Sequence, residues 1–472
     1  MNPILDTDSY KPSHIFQMDP SISASYFYLE ARGGMYSHTM VFGLQYIIKK
    51  YLCRQITVEH IVEAEALFKE HGLPFSKAAF LHILRQHNGY WPVVIRAARE
   101  GAIIPTGNVL ATVQSTDPEC AWVPSYIEDT LLRLWYPCTV ATRSAYIKHM
   151  IKMYMIITCD NLDGLDFKLH DFGARGASSH ESASLGGTAH LVNFRGSDTV
   201  PALVLAREYY NEPMAGYSIP AAEHFTVTGW GRDHEYAAYA HALSAVGVKG
   251  GMLAVVCDSY DVYNAVDNIW GQQLRQAVKD SGVTLVLRPD SGVPHVVVLK
   301  VLELLANRFG YTINSKGFKV LNGVRVIHGD SINERTIKQT LLNIVSAGFS
   351  VDNVAFGMGG ELLQNVNRDT QGFAMKCSAV AREGKWYPIF KSPVDAPGKR
   401  SKSGVVTLMR EGNEYKTIDT LVEVAGWRDT GGEALETIYA NGCTYRAQSL
   451  NEIRKVANDH SETTLIVSQH PV

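Results

Sequence analysis

The sequence predicts an α/β fold in which a (β/α) barrel-like domain is joined to a mixed α+β domain formed from the N- and C-terminal segments. Between about residues 163 and 367, short continuous apolar runs alternate with helical patterns, which is typical of parallel strands buried on both faces. Each run ends in a polar cluster, as barrel strands do at the end that carries an active site. A doubly wound open sheet is the alternative fold, because periodicity does not exclude it.

Three segments follow from this pattern: a mixed N-terminal segment with a helical insertion (1–148), an α/β barrel (149–385) and a C-terminal segment (386–472). In the first, helical spacing of apolar residues alternates with short strands over 91–114. In the second, four apolar runs each precede a helical pattern, at 252–257, 283–287, 324–327 and 353–356. From about residue 379 these repeats stop. The short strand-like pieces beyond that point are expected to complete a sheet with the first segment.

Composition narrows the class of protein. At 472 residues the chain is expected to form two or three sub-domains, and 46% hydrophobic with 19% charged residues is typical of a globular protein. A net charge of −3 argues against a nucleic-acid binder. The seven cysteines are odd in number and form no CxxC pair, so we expect neither a disulfide framework nor a zinc knuckle. With no signal-like or membrane-spanning run, the expectation is a cytoplasmic enzyme.

The stretch FKLHDFGARGAS, residues 167–178, is the strongest candidate for a binding site. The stretch opens with a short strand-like run. The aromatic face of Phe172, the charged fork of Arg175 and two flexible glycines follow that run. Such a combination suits a planar ring and an anionic group. The alternative is a turn with a surface arginine.

Later strand ends add polar residues. Asp258, Asp290 and Asp330 each follow a predicted strand, where carboxylates can hold Mg²⁺ or ribose hydroxyls, although each alone could be an Asx turn or a helix cap. Gly357–Gly360 lies between a strand and a helix and suits a phosphate cradle, the alternative being glycines needed for packing. A late basic series is either a solvated face or a phosphate clamp; it comprises Arg368, Lys376, Lys391, Lys399, Arg400 and Lys402.

Several enzyme classes are not supported. The Asp171-Phe172-Gly173 triplet lacks the other kinase motifs, and no Gly-x-Ser-x-Gly elbow is present. His234-Glu235 lacks the second histidine of an HExxH zinc site. A lone histidine such as His224 is more often structural than catalytic.

Longer blocks resemble the nicotinamide phosphoribosyltransferases, a family of type II phosphoribosyltransferases, over nearly the whole chain. They include TDSYK (7–11), IPTGNVL (104–110), TDPECAW (116–122), LHDFGARG, AHLVNFRGSDT (189–199), GYSIPAAEH (216–224), DSYDVYNA (258–265), RPDSG, FGMGGELLQ and KRSKSG. The resemblance implies the barrel fold of that family and a homodimer whose active sites straddle the interface. It also implies condensation of nicotinamide with 5-phosphoribosyl 1-pyrophosphate, to give nicotinamide mononucleotide and pyrophosphate in NAD salvage.

The resemblance also implies residue roles. Phe172 and the partner subunit's Tyr10 would sandwich the pyridine ring, and Asp198 would accept a hydrogen bond from the carboxamide. His224, Arg288 and Asp290 would be the catalytic residues, and His224 would also be phosphorylated by ATP. Asp258 and Asp290 would bind Mg²⁺. The remaining substrate-binding residues would be Arg175, Gly329, Asp330, Gly359 and Gly360, with Arg32, Arg368, Lys376 and Lys391 from the partner.

Some positions depart from the family pattern. Phe167 and Ala174 stand where animal members carry tyrosines, and Ala374 stands where a phosphate-contacting serine is expected. We expect these changes to affect substrate affinity rather than the reaction. Two alternative functions are a nicotinate phosphoribosyltransferase, which a carboxylate at Asp198 would disfavour, and a non-catalytic binding protein on a barrel scaffold.

Overall fold

The computed structural model describes residues 2–395, 400–422, 432–461 and 466. Lys399 of the late basic series lies outside the described residues. The chain divides into two compact units. The first contains the residues up to Thr142, Glu208–Glu212 and the described residues from Asn367 onward, and the second contains Arg143–Arg207 and Pro213–Val366.

The strands of the described ranges are short and numerous. In chain order they are β1 Ile22–Ala31, β2 His38–Met40, β3 Val93–Ala97, β4 Ile103–Pro105, β5 Val109–Ser115, β6 Leu169–Asp171, β7 Gly196–Ser197, β8 Met252–Val256, β9 Thr284–Arg288, β10 Tyr311–Ile313, β11 Lys319–Leu321, β12 Val324–His328, β13 Val354–Met358, β14 Phe373–Arg382, β15 Lys385–Pro388, β16 Val406–Glu411, β17 Glu414–Asp419, β18 Gly432–Glu433, β19 Glu436–Ala440 and β20 Cys443–Thr444.

The helices range from single turns to the long α7. In chain order they are α1 His14–Gln17, α2 Leu44–Ile47, α3 Val58–Glu70, α4 Lys77–Gln86, α5 Val123–Tyr126, α6 Glu128–Leu132, α7 Trp135–Thr158, α8 His180–His190, α9 Val200–Tyr210, α10 His224–Thr228, α11 Glu235–Val246, α12 Val262–Asn264, α13 Arg275–Ser281, α14 Pro294–Phe309, α15 Glu334–Ser346, α16 Gly360–Leu363 and α17 Leu450–Ser461. None of those in the described ranges combines the length and apolarity that crossing a bilayer demands.

The first unit is built on an antiparallel sheet of seven strands in the order β15-β14-β1-β5-β3-β19-β20. The long strand β1 pairs with β14 on one side and with β5 on the other. Strands from both ends of the chain therefore share one sheet, which confirms the predicted α+β domain of N- and C-terminal segments. Residues after Val366 lie in this unit, because β14 pairs with β1 rather than with the parallel strands.

The second unit is built on a parallel sheet of six strands in the order β7-β6-β13-β12-β9-β8. Its edge strands β7 and β8 each form a parallel bridge to one intervening segment, at Tyr217 and at Ala221. Because one segment of the chain meets both edges, the sheet is curled rather than open. The four strands predicted from apolar runs are β8, β9, β12 and β13, so the predicted α/β class is confirmed.

A buried lysine fixes the start of β6. The Lys168 ammonium is enclosed by protein and donates hydrogen bonds to three backbone carbonyls, those of Val351 (2.9 Å), Asp352 (3.2 Å) and Val354 (3.1 Å). Burial lowers the pKa of Lys168 to about 8, against the opposing effect of the Asp352 carboxylate. The same carbonyls precede or begin β13, so one side chain ties two neighbouring strands together at the amino ends of the sheet.

Candidate active site

A cavity of about 390 Å³ lies on the inner face of the curled sheet. Its middle is apolar, lined by Ala254, Val286 and Ile327. Polar residues line both ends: Asp198, Ser218 and Arg288 at the carboxyl ends of the strands, and Lys168, Arg325 and Asp352 at the amino ends. Clefts of this volume with apolar walls and a few directed polar groups are the usual form of small-molecule sites. Phe172 and Asp198, both predicted to bind substrate, and Arg288, predicted to be catalytic, lie in its wall.

The Phe172 ring lies directly against glycine backbone. A Cβ atom at Gly357 would fall 2.0 Å from the ring, and one at Gly329 would fall 3.3 Å from it. The Phe172 N–H donates to the carbonyl of Met358 at 2.9 Å, which fixes the backbone that carries the ring. Glycine at position 357 is therefore a steric requirement for this position of the aromatic ring.

The loop after β6 packs on the loop after β13. A Cβ atom at Gly173 would lie 2.7 Å from the Leu363 side chain, and one at Gly176 would lie 3.1 Å from Gly360 Cα. Arg175, which is exposed, is thereby held near the turn that contains Gly359 and Gly360. A Cβ atom at Gly360 itself would meet nothing within 4 Å, so space is left beside this turn.

Asp171 supports this loop from inside the protein. Its carboxylate is fully buried and accepts a hydrogen bond from the Gly173 N–H at 2.7 Å. Burial raises the pKa of Asp171 to about 6, since the opposing hydrogen bonds only partly compensate and Asp198 adds negative charge nearby. Asp171 is therefore a positioning residue for the loop rather than part of an exposed polar cluster.

Asp198 stands at the end of the cavity formed by the carboxyl ends of the strands, one residue beyond β7. Its Oδ1 accepts a hydrogen bond from the Ser218 hydroxyl at 2.5 Å, and its N–H donates to the Asp171 carbonyl at 2.9 Å. Both contacts limit its motion. Ser218 was not singled out from the sequence, because only the curled sheet brings the segment around Tyr217 beside β7.

His224 and Asp258 form a pair. The His224 Nε2 lies 3.2 Å from an Asp258 carboxylate oxygen; the imidazole is 48% exposed and the carboxylate only 7%. His224 is the first residue of α10, and one residue separates Asp258 from the end of β8. The pair fixes the orientation of an imidazole that solvent and ligands can reach.

Arg288 is the last residue of β9 and Asp290 follows the strand; a guanidinium nitrogen of Arg288 lies 3.7 Å from a carboxylate oxygen of Asp290. The Arg288 Nε is buried and has no hydrogen-bond partner within the described ranges. A charged donor left in this state beside a cavity is suited to an anionic ligand. Asp290 in turn borders Gly329, since a Cβ there would lie 2.9 Å from its Oδ1.

His328, the last residue of β12, is fully buried among the predicted acidic residues. Burial lowers its pKa, while the backbone of Pro289 and the carboxylates of Asp290, Asp330 and Asp258 all act in the opposite direction. Neither ring nitrogen makes a well-formed hydrogen bond to the described residues. His328, which sequence reasoning did not single out, therefore has the three carboxylates as charged neighbours. Its position immediately before Gly329 was the available signal.

The carboxylates that follow the strands could supply some, but not all, of the ligands of a Mg²⁺ ion. Asp258, Asp290 and Asp330 are not among the described residues that bring three ligand atoms within reach of one ion. They can therefore offer a cation one or two oxygen ligands and not a complete cage. This donor set suits Mg²⁺, which keeps several waters and commonly shares its coordination with substrate phosphates.

The other predicted binding residues lie in the first unit. Lys376 has Arg32, Lys391 and Lys11 as charged neighbours, and burial lowers its pKa while Glu128 opposes this. Lys11, which the sequence did not single out, adds to this basic group. Tyr10 is half exposed, and exposed Arg368 lies 3.5 Å from its neighbour Asp369.

Comparisons with known proteins agree along the chain. Residues 167–435 match the nicotinate phosphoribosyltransferase (NAPRTase) family, and residues 2–95 match the N-terminal domain of nicotinamide phosphoribosyltransferase. A protein of Xanthomonas campestris pv. campestris named nicotinamide phosphoribosyltransferase is 50% identical over 460 residues, which cover 97% of this chain and 98% of that protein. One of Mycoplasma pneumoniae with the same name is 32% identical over 353 residues, covering 71% and 75%.

Two solved structures share the fold. Nicotinate-nucleotide pyrophosphorylase from Pyrococcus furiosus is similar with a TM-score of 0.64 and 16% identity, covering 97% of this chain and 94% of that one. Human nicotinic acid phosphoribosyltransferase is similar with a TM-score of 0.61 and 17% identity, covering 96% and 93%. At these identities the likeness concerns the fold alone.

The contact between Phe172 and Gly357 can be tested through stability. We expect Gly357→Ala to destabilise the second unit by about 1–3 kcal/mol, since the new methyl group overlaps the ring. For a unit of the size of the second one, this corresponds to a Tm lower by roughly 2–12 °C. Phe172→Ala in the same chain should recover most of that loss, because the overlap disappears. Thermal unfolding of the wild type, both single variants and the double variant measures the coupling; strictly additive effects would contradict the contact.

Proposed function

The chain belongs to the nicotinamide phosphoribosyltransferase family, and we propose that it joins nicotinamide to 5-phosphoribosyl 1-pyrophosphate, giving nicotinamide mononucleotide and pyrophosphate in NAD salvage. It is a pentosyltransferase by this assignment. One observation carries the proposal on the structural side: an aromatic ring seated on glycine backbone opens onto the same cavity as a carboxylate and an arginine with a free donor. Identity of 50% to a relative of that name supports it over almost the full chain.

In this proposal the pyridine ring stacks on Phe172, and its carboxamide NH₂ donates to Asp198. Stacking of a flat ring on an aromatic side chain contributes about 1–3 kcal/mol. The hydrogen bond from Ser218 keeps Asp198 oriented before the substrate arrives, which lowers the entropy cost of binding. The second face of the ring would be covered by the partner subunit's Tyr10.

The reaction is a displacement at carbon 1 of the ribose. The ring nitrogen supplies the electron pair for the new bond, and the bond to the pyrophosphate oxygen breaks with its electrons leaving on pyrophosphate. Positive charge develops on the ribose and negative charge on the leaving group, so the protein acts mainly through positioning and electrostatics. Asp290 and Asp330 would bind the ribose hydroxyls beside Gly329, and their charge would favour the positive ribose.

Cationic groups would hold the phosphates. Arg288, with its unpaired Nε, and exposed Arg175 would take the pyrophosphate together with His224. Gly359 and Gly360 would take the 5′-phosphate, in the open space beside their turn. Mg²⁺ is proposed as the cofactor, held by Asp258 and Asp290. When bound, it would offset the charge of the pyrophosphate.

ATP is proposed as a coupled substrate through His224. Since Nε2 is directed at Asp258, Nδ1 is the nitrogen that would attack the γ-phosphorus of ATP, with ADP as the leaving group. Water would later cleave the phosphohistidine and release phosphate. Exposure of nearly half of the imidazole supports access by a nucleotide.

A homodimer in the cytoplasm completes the proposal. Tyr10, Arg32, Arg368, Lys376 and Lys391 would serve the partner's site. The grouping of Arg32, Lys376 and Lys391 with Lys11 supports a shared role in binding phosphate groups. All seven cysteines are free thiols, which agrees with a reducing compartment.

Substrate choice tests the function directly. An ionised Asp198 attracts the carboxamide of nicotinamide and repels the carboxylate of nicotinate, and a difference of roughly 3 kcal/mol corresponds to a preference of at least about a hundredfold. Asp198→Ser should lose nicotinamide activity and narrow the preference, because it removes the repulsive group together with the attractive one. Pyrophosphate release gives kcat/KM for both substrates.

Asp280→Ser, at an exposed position of α13, is the matched control for Asp198→Ser and should leave both values unchanged. A wild-type enzyme that prefers nicotinate would assign the chain to the nicotinate-specific alternative. An unchanged ratio in a folded Asp198→Ser enzyme would remove Asp198 from the specificity role.

His224→Ala tests the coupling to ATP. We expect substrate-stimulated ATP hydrolysis to disappear, because the nitrogen that accepts the phosphoryl group is gone, while some ATP-independent synthesis remains. His234→Ala, another exposed histidine of the same unit, should hydrolyse ATP normally. Phosphate release and product formation are measured in parallel, and intact hydrolysis in the His224→Ala enzyme would refute the role.

Complementation tests the shared site. Tyr10→Ala and Phe172→Ala dimers should each be nearly inactive, since every site carries a defect. A mixed dimer would have one site with both defects and one with neither, so random exchange should restore about a quarter of wild-type activity. Subunit exchange is followed with differently tagged chains. No recovery after confirmed exchange would contradict a site built from two subunits.

A further inference from the structure

A second cluster of chemically active side chains lies in the first unit, apart from any residue assigned to the reaction. His82 lies on α4 and His87 directly follows that helix; Asp117 and Cys120 lie beyond β5. One ligand atom from each of the four falls within 4.8 Å of every other, and this is the sole such group that the described part of the chain contains. The pairs are spaced as H-x₄-H and D-x₂-C, within the spacings common in zinc sites.

The geometry converges on Asp117. Its Oδ2 lies 2.8 Å from the Nε2 of His82 and 2.6 Å from the Nε2 of His87. Its Oδ1 is occupied separately by the Glu119 N–H at 2.8 Å. The Nε2 atoms of both imidazoles therefore face one carboxylate oxygen, and a cation between them would meet three ligand atoms.

Cys120 completes the set. Its side chain is 1% exposed, and its Sγ lies within 4.8 Å of the ligand atoms of His82, His87 and Asp117. A metal ion would hold it as the thiolate.

We propose that His82, His87, Asp117 and Cys120 form a zinc-binding site. Two imidazoles, a carboxylate and a thiolate suit a borderline-soft ion with tetrahedral coordination. Ligand atoms around zinc lie roughly 3–4 Å apart, so the close His–Asp contacts would open by about 1 Å through small side-chain rotations. Glu119 Oε2, 3.3 Å from His82 Nδ1, would orient that imidazole from the second side, as carboxylates do for zinc-bound histidines.

The role of the site would be structural. All four positions around the ion would be filled by protein, which leaves none for a substrate. The ion would fasten the end of α4 to the segment that follows β5. Packing of Phe80 against Trp122, with ring centroids 5.2 Å apart, already joins these two elements on the apolar side.

Cobalt(II) is the probe for the test, because it replaces zinc and absorbs light. The full-length protein, stripped with a chelator and titrated with Co²⁺, should show a thiolate-to-cobalt charge-transfer band and the strong visible bands of tetrahedral cobalt. They should saturate at about one ion per chain, and Zn²⁺ should displace them. Cys120→Ser should lose the charge-transfer band, and His87→Ala should weaken binding at least about tenfold.

Two matched variants control for other ligands. Cys443→Ser and His71→Ala replace exposed residues of the same types in the same unit and should bind Co²⁺ as the wild type does. Zn²⁺ should raise the Tm of the wild type and not that of His87→Ala. His87 is partly exposed, so this variant keeps the test valid if Cys120→Ser fails to fold.

Absence of tetrahedral bands at millimolar Co²⁺ would overturn the proposal and leave the cluster as a hydrogen-bonded His–Asp–His array. Equal bands in the wild type and the folded Cys120→Ser or His87→Ala proteins would overturn it as well, because the ion would then be held elsewhere. None of these measurements uses catalytic activity, so the result is independent of the proposed reaction.

Discussion

The architecture of the candidate site depends on how closely two strand ends approach each other. Phe172 and the loop behind it occupy space that any side chain at positions 173, 176 or 357 would fill. Because these glycines admit such close packing, an aromatic ring, an exposed arginine and an open glycine turn meet at one corner of the curled sheet. The buried Asp171 carboxylate holds this loop in place by accepting a hydrogen bond from the Gly173 N–H. The chemistry proposed for this corner is thus a consequence of backbone contact as much as of the functional side chains.

Much of the fold could be predicted from sequence because its central strands are continuous apolar runs. The strands β8, β9, β12 and β13 follow this pattern and were recognised with small differences at their ends. Pairing between distant segments has no local signal. The contact of β1 with β14 joins residues separated by most of the chain, and the bridges at Tyr217 and Ala221 that curl the parallel sheet are single residue pairs.

In the candidate site, too, residues with a local sequence signal could be predicted and residues defined by distant contacts could not. Residues shortly after strands, such as Asp258, Asp290 and Asp330, could be selected from the sequence because the topology collects strand ends at one edge. Burial and cross-element contacts could not be selected in that way: Ser218 and His328 acquire their significance from neighbours far along the chain. The four-residue cluster of the first unit escaped notice for a related reason. Counting cysteines suggests no metal site, since three of its four donors are not cysteines and thirty or so residues separate the two pairs.

The three hydrogen bonds of Lys168 have a consequence for how variants of this protein would be interpreted. Strand β6 is only three residues long. Lys168, just before the strand, and Phe172, just after it, are therefore held by the same short segment of backbone. Loss of these hydrogen bonds would loosen the start of the strand that carries the ring, although the lysine does not touch the ring's glycine neighbours. A mutational scan that measures loss of activity would therefore place Lys168 among the substrate-binding residues, although its ammonium donates its hydrogen bonds to backbone carbonyls. Lys168 also lines the opposite end of the same cavity, so one three-residue strand links the two ends of the candidate site.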